Sequence, residues 1–264
     1  MTPTLSAVII ARNEAPMIER CLARLAFADE QIVLVDDRTT DDTAERADRA
    51  GATVIQARFD TFAAIRNLAI EAATRDWVLF VDADERVPST LAHEIRSALD
   101  DEPWAYRVPV ENWFYGSRIR DSGYREKPIR LFRREGAQFA GDVHEVIVVP
   151  EGVTVGALDT ALVHLSHRSI LDNLAKTSGY ADLQARQMLK DGHRPITAPS
   201  LAWTACSTLG RHLVVGRGLR DGVPGVVESF YQAFSIFCVH VRLWELQRSP
   251  SIPDRYEGLE EGLL

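Results

Sequence analysis

Along the first hundred residues, short apolar runs alternate with longer stretches in which apolar side chains recur every three or four positions. The runs SAVIIA (Ser6 to Ala11), QIVLVD (Gln31 to Asp36), ATVIQ (Ala52 to Gln56) and WVLFVD (Trp77 to Asp82) are apolar at consecutive positions, the pattern of parallel strands covered on both faces. The stretches between them predict helices. The first runs from about Pro16 to Leu25, with Ile18, Leu22 and Leu25 on one side. The second opens at Thr40, whose hydroxyl is suited to a cap with Asp41 and Asp42 in the first turn, and stops near Gly51. A third covers Phe62 to Ala73, and a fourth follows Pro88, with Ser89 as cap, to about Leu99. Four alternations of strand and helix imply a doubly wound α/β half.

Beyond Glu102-Pro103 the texture changes. AYRVPVENWFYG (Ala105 to Gly116), PIRLFRR (Pro128 to Arg134) and VHEVIVVPEGVTVGAL (Val143 to Leu158) read as strands that extend or cover the first sheet. From Ser169 the pattern is helical to about Leu246, broken at residues 192–199 and 218–224. The division this suggests is a catalytic core over residues 1–165 and a helical region over residues 166–264 packed on it.

Composition narrows the class. The chain has 264 residues, 46% of them hydrophobic, with a formal charge of −8, so no long basic face exists for nucleic acid. Three scattered cysteines (Cys21, Cys206, Cys238) form neither a disulfide framework nor a metal knuckle and fit a reducing, cytoplasmic compartment. The N-terminus lacks the pattern of a secretory signal. Ser229 to Leu246 comes nearest to a membrane span, but Gln232, His240, Arg242 and Glu245 interrupt it, and it reads as a core or interfacial helix.

The chemistry collects at strand ends. In an open α/β sheet the ligand crevice lies beyond the carboxyl ends of the strands. There stand Arg12-Asn13-Glu14 after the first strand, Asp36-Asp37 after the second and Asp82-Ala83-Asp84-Glu85 after the fourth. Carboxylates crowded on one rim are tolerable around a divalent cation, and hard oxygen ligands of this kind suit Mg²⁺ or Mn²⁺, ions that commonly bring a phosphate with them.

These segments resemble glycosyltransferase family 2, the inverting enzymes of the GT-A fold. The likeness is carried by SAVIIARNE (Ser6 to Glu14), the VDD-x-x-T-D run (Val35 to Asp41), Arg66-Asn67 in the third helix and FVDADE (Phe80 to Glu85). Later segments resemble the branch that glucosylates the bacterial lipopolysaccharide core: WFYGSRIR (Trp113 to Arg120), IRLFRR (Ile129 to Arg134), VHE (Val143 to Glu145), His164-x-Ser166 and the GLRDG turn (Gly218 to Gly222). One departure is Arg38-Thr39-Thr40, where the family usually has Gly or Ser and then Ser-Thr.

The resemblance implies an α/β GT-A domain with a C-terminal helical extension and a set of roles. Ala11, Arg12, Asn13 and Glu14 line the nucleotide pocket, Asp36 or Asp37 accepts a hydrogen bond from the base, and Asp82, with Ala83 beside it, holds ribose or a metal-bound water. Asp84 coordinates the metal that bridges the diphosphate, with Asp82 and His144 as further ligands. Arg66, Asn67 and Arg130 lie toward the donor phosphates, since a guanidinium forks onto phosphate oxygens. Glu145 takes the acceptor proton, with Asp142 and Asp121 as rivals, while His164 and His167 read as structural histidines. The implied donor is a nucleotide sugar, UDP-hexose by the same resemblance. The acceptor is a glycan or a lipid-linked glycan. The aromatic side chains of the helical region either build a face for peripheral contact at the inner membrane or, the more ordinary reading, are buried against the catalytic core.

Rival classes share parts of this pattern. A haloacid-dehalogenase phosphatase carries D-x-D on its opening strand, not its fourth. A nucleotidyltransferase needs a Gly-rich loop where this chain has ARNE. A non-catalytic sugar-nucleotide binding module keeps the pocket and lacks the base.

Overall fold

The structure is a computed structural model and describes residues 2–59, 61–120, 127–141 and 146–263. The chain forms two compact units, one made of Met1–Trp113 with Tyr124–Ser166 and the other of Phe114–Gly123 with His167–Leu264.

The first unit is built on β1 (Leu5–Ala11), α1 (Ile18–Ala23), β2 (Glu30–Asp36), α2 (Thr43–Arg49), β3 (Thr53–Ala57), α3 (Phe62–Ala72) and β4 (Trp77–Asp82). There follow β5 (Glu85–Arg86), α4 (Ser89–Ala98), β6 (Ala105–Arg107), β7 (Val110–Phe114), β8 (Ser117–Arg118, in the second unit) and β9 (Ile129–Arg133). After these come β10 (Phe139–Ala140), β11 (Val146–Ile147), β12 (Val155–Ala157) and β13 (Leu162–His164). Seven strands form the main sheet in the order β12-β6-β9-β4-β1-β2-β3. Strands β1 to β4 are parallel, whereas β9 runs antiparallel to both β4 and β6.

Alternation along the buried strands sorts the core into two layers. Leu5, Ala7 and Ile9 face a cluster that includes Ile18 and Leu22 of α1, Ala47 of α2, and Leu91 and Ile95 of α4. Val8, Val78 and Phe80 face Ile65, Ala69 and Ile70 of α3. Helices thus cover both faces, which is why the strands read as unbroken apolar runs.

Several elements differ from expectation for local reasons. Helix α2 begins at Thr43, not Thr40, because Thr40 donates its N–H to Asn13 Oδ1 at 2.8 Å while Asp41 Oδ1 accepts the Thr43 N–H at 3.1 Å. Pro88, not Ser89, is the residue before α4. The run from Ala105 holds two strands, because Val108 and Pro109 interrupt it and proline cannot donate to a ladder. The stretch over residues 143–158, expected to extend or cover the first sheet, contains β11, paired with β10, and β12, at the edge of the main sheet.

The second unit is helical: α5 (Ile170–Lys190), α6 (Ala198–Gly210), a π-helical turn (Arg211–Val215), a 3₁₀ turn (Gly218–Asp221), α7 (Gly222–Leu246) and α8 (Ile252–Leu263). Helix α8 was not anticipated. At the N-terminus of α6, Thr197 and Ser200 form a reciprocal capping box. His167, with φ +47°, stacks on Phe114 at 4.5 Å and bonds buried Glu228 of α7 at 2.5 Å. The GLRDG turn is packed against α7 so closely that a Cβ on Gly225 would lie 2.2 Å from the Gly218 carbonyl oxygen. Helix α7, with the preceding turn, is long and apolar enough to cross a membrane by length and composition, and 28% of its apolar window is buried.

Candidate active site

The site is assembled by strand register. In the parallel ladders Ala11 lies opposite Val35 and Ile10 opposite Asp82. This brings the residues after β1, β2 and β4 to one sheet edge. A second, smaller sheet adds another wall. Strand β13 lies between β5 and β7, pairing His164 with Glu85 on one side and with Asn112 on the other.

The D-x-D run closes β4 in a tight turn. Glu85 is buried and its carboxylate accepts the Asp82 N–H at 2.8 Å. Arg86 fixes the turn by donating to the carbonyls of Ala83 at 2.8 Å and Met17 at 3.2 Å. Ala83 is buried beneath it. One guanidinium nitrogen of Arg130, on β9, reaches Asp82 Oδ2 and Glu85 Oε1, each at 2.9 Å. Asp84 Oδ2 stands 3.4 Å from His164 Nε2, and His164 Nδ1 is 2.9 Å from Asn112 Oδ1.

The charges are strongly interdependent. Partial burial opposes ionisation of Asp82, but the Arg130 and Arg66 charges outweigh it and hold its carboxyl below the usual range. For Glu85 burial wins, and with Asp82 nearby it raises that carboxyl above the ordinary glutamate range despite Arg130. Burial works against charge on His164 too, yet its contact with Asp84 leaves its pKa raised. Burial also pushes the Cys21 thiol, 3.5 Å from the Asp82 carbonyl, up to about 12, so it stays a neutral packing group.

The expected residues fall into several groups. Arg130, expected toward the donor phosphates, is nearly buried and pairs with Asp82 and Glu85 within the acid cluster. The Asn67 side-chain amide donates to the Phe139 carbonyl at 3.0 Å and accepts the Phe139 N–H at 2.8 Å, tying α3 to β10. Arg66 lies over the rings of Phe80 and Phe139, at 5.4 and 5.1 Å from their centroids. Asn13, with φ +56°, accepts from the Thr40 N–H, and the Glu14 N–H donates to Thr43 Oγ1 at 2.9 Å. Ala11 is buried and Arg12 exposed beside them.

Arg38, the departure from the family pattern, folds back onto Asp36. Its Nε donates to Oδ1 at 2.8 Å and its Nη2 to Oδ2 at 2.5 Å, with a further bond to the Phe59 carbonyl at 3.1 Å. Those hydrogen bonds hold buried Asp36 at about 2, well below an ordinary aspartate. Asp37 is exposed, with Arg58 at 3.3 Å. Glu145, Asp142, His144 and Asp121 lie outside the described residues.

Glu85, the acid directly behind D-x-D in the sequence, is buried beneath the turn. His164 reads as structural in the sequence, and the pairing of β13 with β5 places it beside Asp84.

Residues 6–150, more than half of the chain, match the family described as Glycosyl transferase family 2. The chain belongs to that family. It is 28% identical over 276 positions to an uncharacterized glycosyltransferase of Rickettsia bellii, covering 98% of this chain and 92% of that one. It is likewise 28% identical over 277 positions to the lipopolysaccharide core biosynthesis glycosyltransferase LpsC of Rhizobium meliloti, covering 95% and 96%. Among solved structures, S. aureus TarS 1-349 in complex with UDP-GlcNAc aligns at 14% identity and TM-score 0.48, over 92% of this chain and 90% of that one. With the family, the sheet order and the flanking helices, the first unit is a GT-A fold.

The donor chemistry fits a hard divalent cation in part. Asp82, 43% exposed at its side chain, and Asp84 offer carboxylate oxygens of the right kind. Among the described residues no group of three His, Cys, Asp or Glu side chains stands ready to ligate. His144, the further ligand expected from the family resemblance, lies outside the described residues.

Proposed function

We propose that this protein transfers a hexosyl group, with inversion, from a UDP-sugar to a glycan or lipid-linked acceptor in the assembly of bacterial envelope polysaccharide or lipopolysaccharide. The observation that carries this reading is Asp82 and Asp84 at the carboxyl end of the fourth parallel strand, on the sheet edge where a nucleotide is expected in such a fold. The likeness to LpsC supports the class of acceptor.

Asp82 and Asp84 would hold Mg²⁺ or Mn²⁺, whose contribution is to neutralise charge growing on the leaving diphosphate. Arg130 keeps Asp82 ionised, and His164 orients Asp84. Asp37 is the exposed acid left for the base, because Asp36 is engaged by Arg38; Arg38 in turn borders the nucleotide pocket. The acceptor hydroxyl attacks the anomeric carbon as the bond from that carbon to the diphosphate oxygen breaks, and its proton passes to a carboxylate. On the family resemblance that carboxylate is Glu145, with Asp142 as the alternative.

The test is a thermal-shift series with UDP and UDP-hexoses, with and without Mn²⁺, followed by product analysis. A ligand that binds only the folded state raises the melting temperature. Stabilisation by UDP that requires metal and disappears in Asp84→Asn, together with loss of turnover in Glu145→Gln, is the expected result. Metal-independent binding with Glu145→Gln fully active would overturn the reading.

A further inference from the structure

The helical unit carries a feature that sugar transfer does not use. Helices α6 and α7 pack together and are joined by the π-helical and 3₁₀ turns, forming a helical hairpin. Its tip exposes Val214, Val215, Leu219 and Val223, each 59–78% accessible. Interspersed with them are the exposed Arg211, Arg217 and Arg220. The only acids between Thr197 and His240 are Asp221 and Glu228. Asp221 accepts from the Arg120 backbone at 2.9 Å, and Glu228 is buried against His167. In a chain of net charge −8 this tip is a local concentration of positive charge among apolar side chains.

The apolar surface continues along α7. Val223, Val227, Phe230, Phe234 and Phe237 are spaced by four, three, four and three residues, so they share one helix face. Val223, Phe230, Phe234 and Phe237 are exposed, from 76% at Val223 to 36% at Phe237, while Val227 is partly buried between them. Phe230 and Phe234 also help line an open apolar groove with Ile170 and Leu174 of α5. Monomeric proteins rarely leave such a surface uncovered.

We infer that the α6–α7 hairpin is a peripheral anchor whose tip enters the interfacial region of an anionic lipid membrane, valines and leucine among the acyl chains and arginines on the headgroups. Apolar side chains flanked by arginine match the two requirements of an interfacial element, burial of apolar area and attraction to anionic lipid. Neither half suffices for a water-soluble partner of net negative charge, which would leave the valines wet. The tip is also preformed. Gly225 and Gly218 let the turn lie against α7, so little order is lost on binding. The buried Glu228–His167 pair seats α7 within its own unit and argues for a helix lying at the surface, not crossing it. The anchor goes beyond the donor-site reading and can fail independently of it.

The experiment is sedimentation of the full chain with vesicles of pure phosphatidylcholine and of phosphatidylcholine mixed with phosphatidylglycerol, at low and high salt. The expected result is binding to the anionic vesicles that falls with salt and is released by alkaline carbonate. Val214→Asp with Val215→Asp should weaken it at least ~10-fold. Replacing Arg217 and Arg220 by Ala should cost roughly 5-fold per arginine on anionic vesicles. Both sets lie at exposed positions, and unchanged melting temperature and UDP binding would confirm that they fold. Failure of the folded wild type to bind anionic vesicles, or binding unaffected by both sets, would overturn the inference. So would resistance to carbonate, which marks a spanning helix, or a dimer that the Val214 and Val215 changes dissociate while vesicles are ignored, which marks a second copy as the cover.

Discussion

Arg130 stands between two carboxylates of unequal burial, and that inequality decides what it does. Asp82 retains access to solvent, whereas Glu85 is sealed. Removing the cation therefore leaves Glu85 as an unpaired buried acid, the costly case for an internal ion pair. Arg130→Met should destabilise the fold by about 3 kcal/mol in chemical denaturation, and Glu85→Gln in the same chain should restore much of the loss. An unaltered denaturation midpoint for Arg130→Met would contradict the pairing. Asp84→Asn, which deletes one charge facing the diphosphate, should lower turnover by ~100-fold with little effect on melting temperature.

Asp36 gives the acid side of the stability curve. Its folded pKa, about 2, lies below its ordinary value. The contribution of its bond to Arg38 is therefore fully present above the unfolded pKa and is lost as pH falls through the folded value. Because Arg38 is partly solvated, the amount is on the order of 1 kcal/mol. Urea midpoints measured from acidic to neutral pH should show that loss in the wild type and a flatter profile in Arg38→Ala. The acids themselves were plain in the sequence, but their partners were not. Arg130 is 48 positions from Asp82, and only the antiparallel insertion of β9 beside β4 brings them together.

At the level of elements, legibility followed locality. Strand β4 coincides with WVLFVD, because a buried parallel strand is a continuous apolar run and its end is marked by acids. Helix α2 was placed three residues early, since Thr40 looks like a cap when only nearest neighbours are visible. It is in fact spent on Asn13, 27 residues away. The short strands β5 and β13, two and three residues long, carry no periodicity to read, yet they deliver His164 to Asp84. In the helical unit the close approach of the GLRDG turn to α7 leaves no room at Gly225, where an added methyl would meet backbone. Gly225→Ala should cost about 2 kcal/mol and lower the melting temperature. A similar substitution at Gly179, which has nothing nearby, should not.

For the molecule as a whole, a boundary is expected after residue 165, and the two compact units divide the chain after Trp113, Gly123 and Ser166. Residues 114–123 belong with the helices although they lie far upstream of them in the chain. Phe114 rests on His167 within that unit. A fragment ending at Ser166 should therefore expose Phe114 and bind more of a hydrophobic dye than the full chain. A fragment that also replaces residues 114–123 with a short Gly-Ser linker should not, and equal dye binding by the two would count against this assignment. The acidic total charge points away from nucleic acid. It also concealed the basic hairpin tip, because a sum over the chain erases a local excess.

The interleaving of the two units bears on how such a protein can be inherited. A gene cut at the codon after Ser166 would not separate two exchangeable modules, because ten residues encoded well upstream would travel with the wrong partner. Any ancestor that acquired new helices had to acquire, in the same step or soon after, a matching loop inside its catalytic half. Sequence changes in the helices should therefore be matched by changes in Phe114–Gly123.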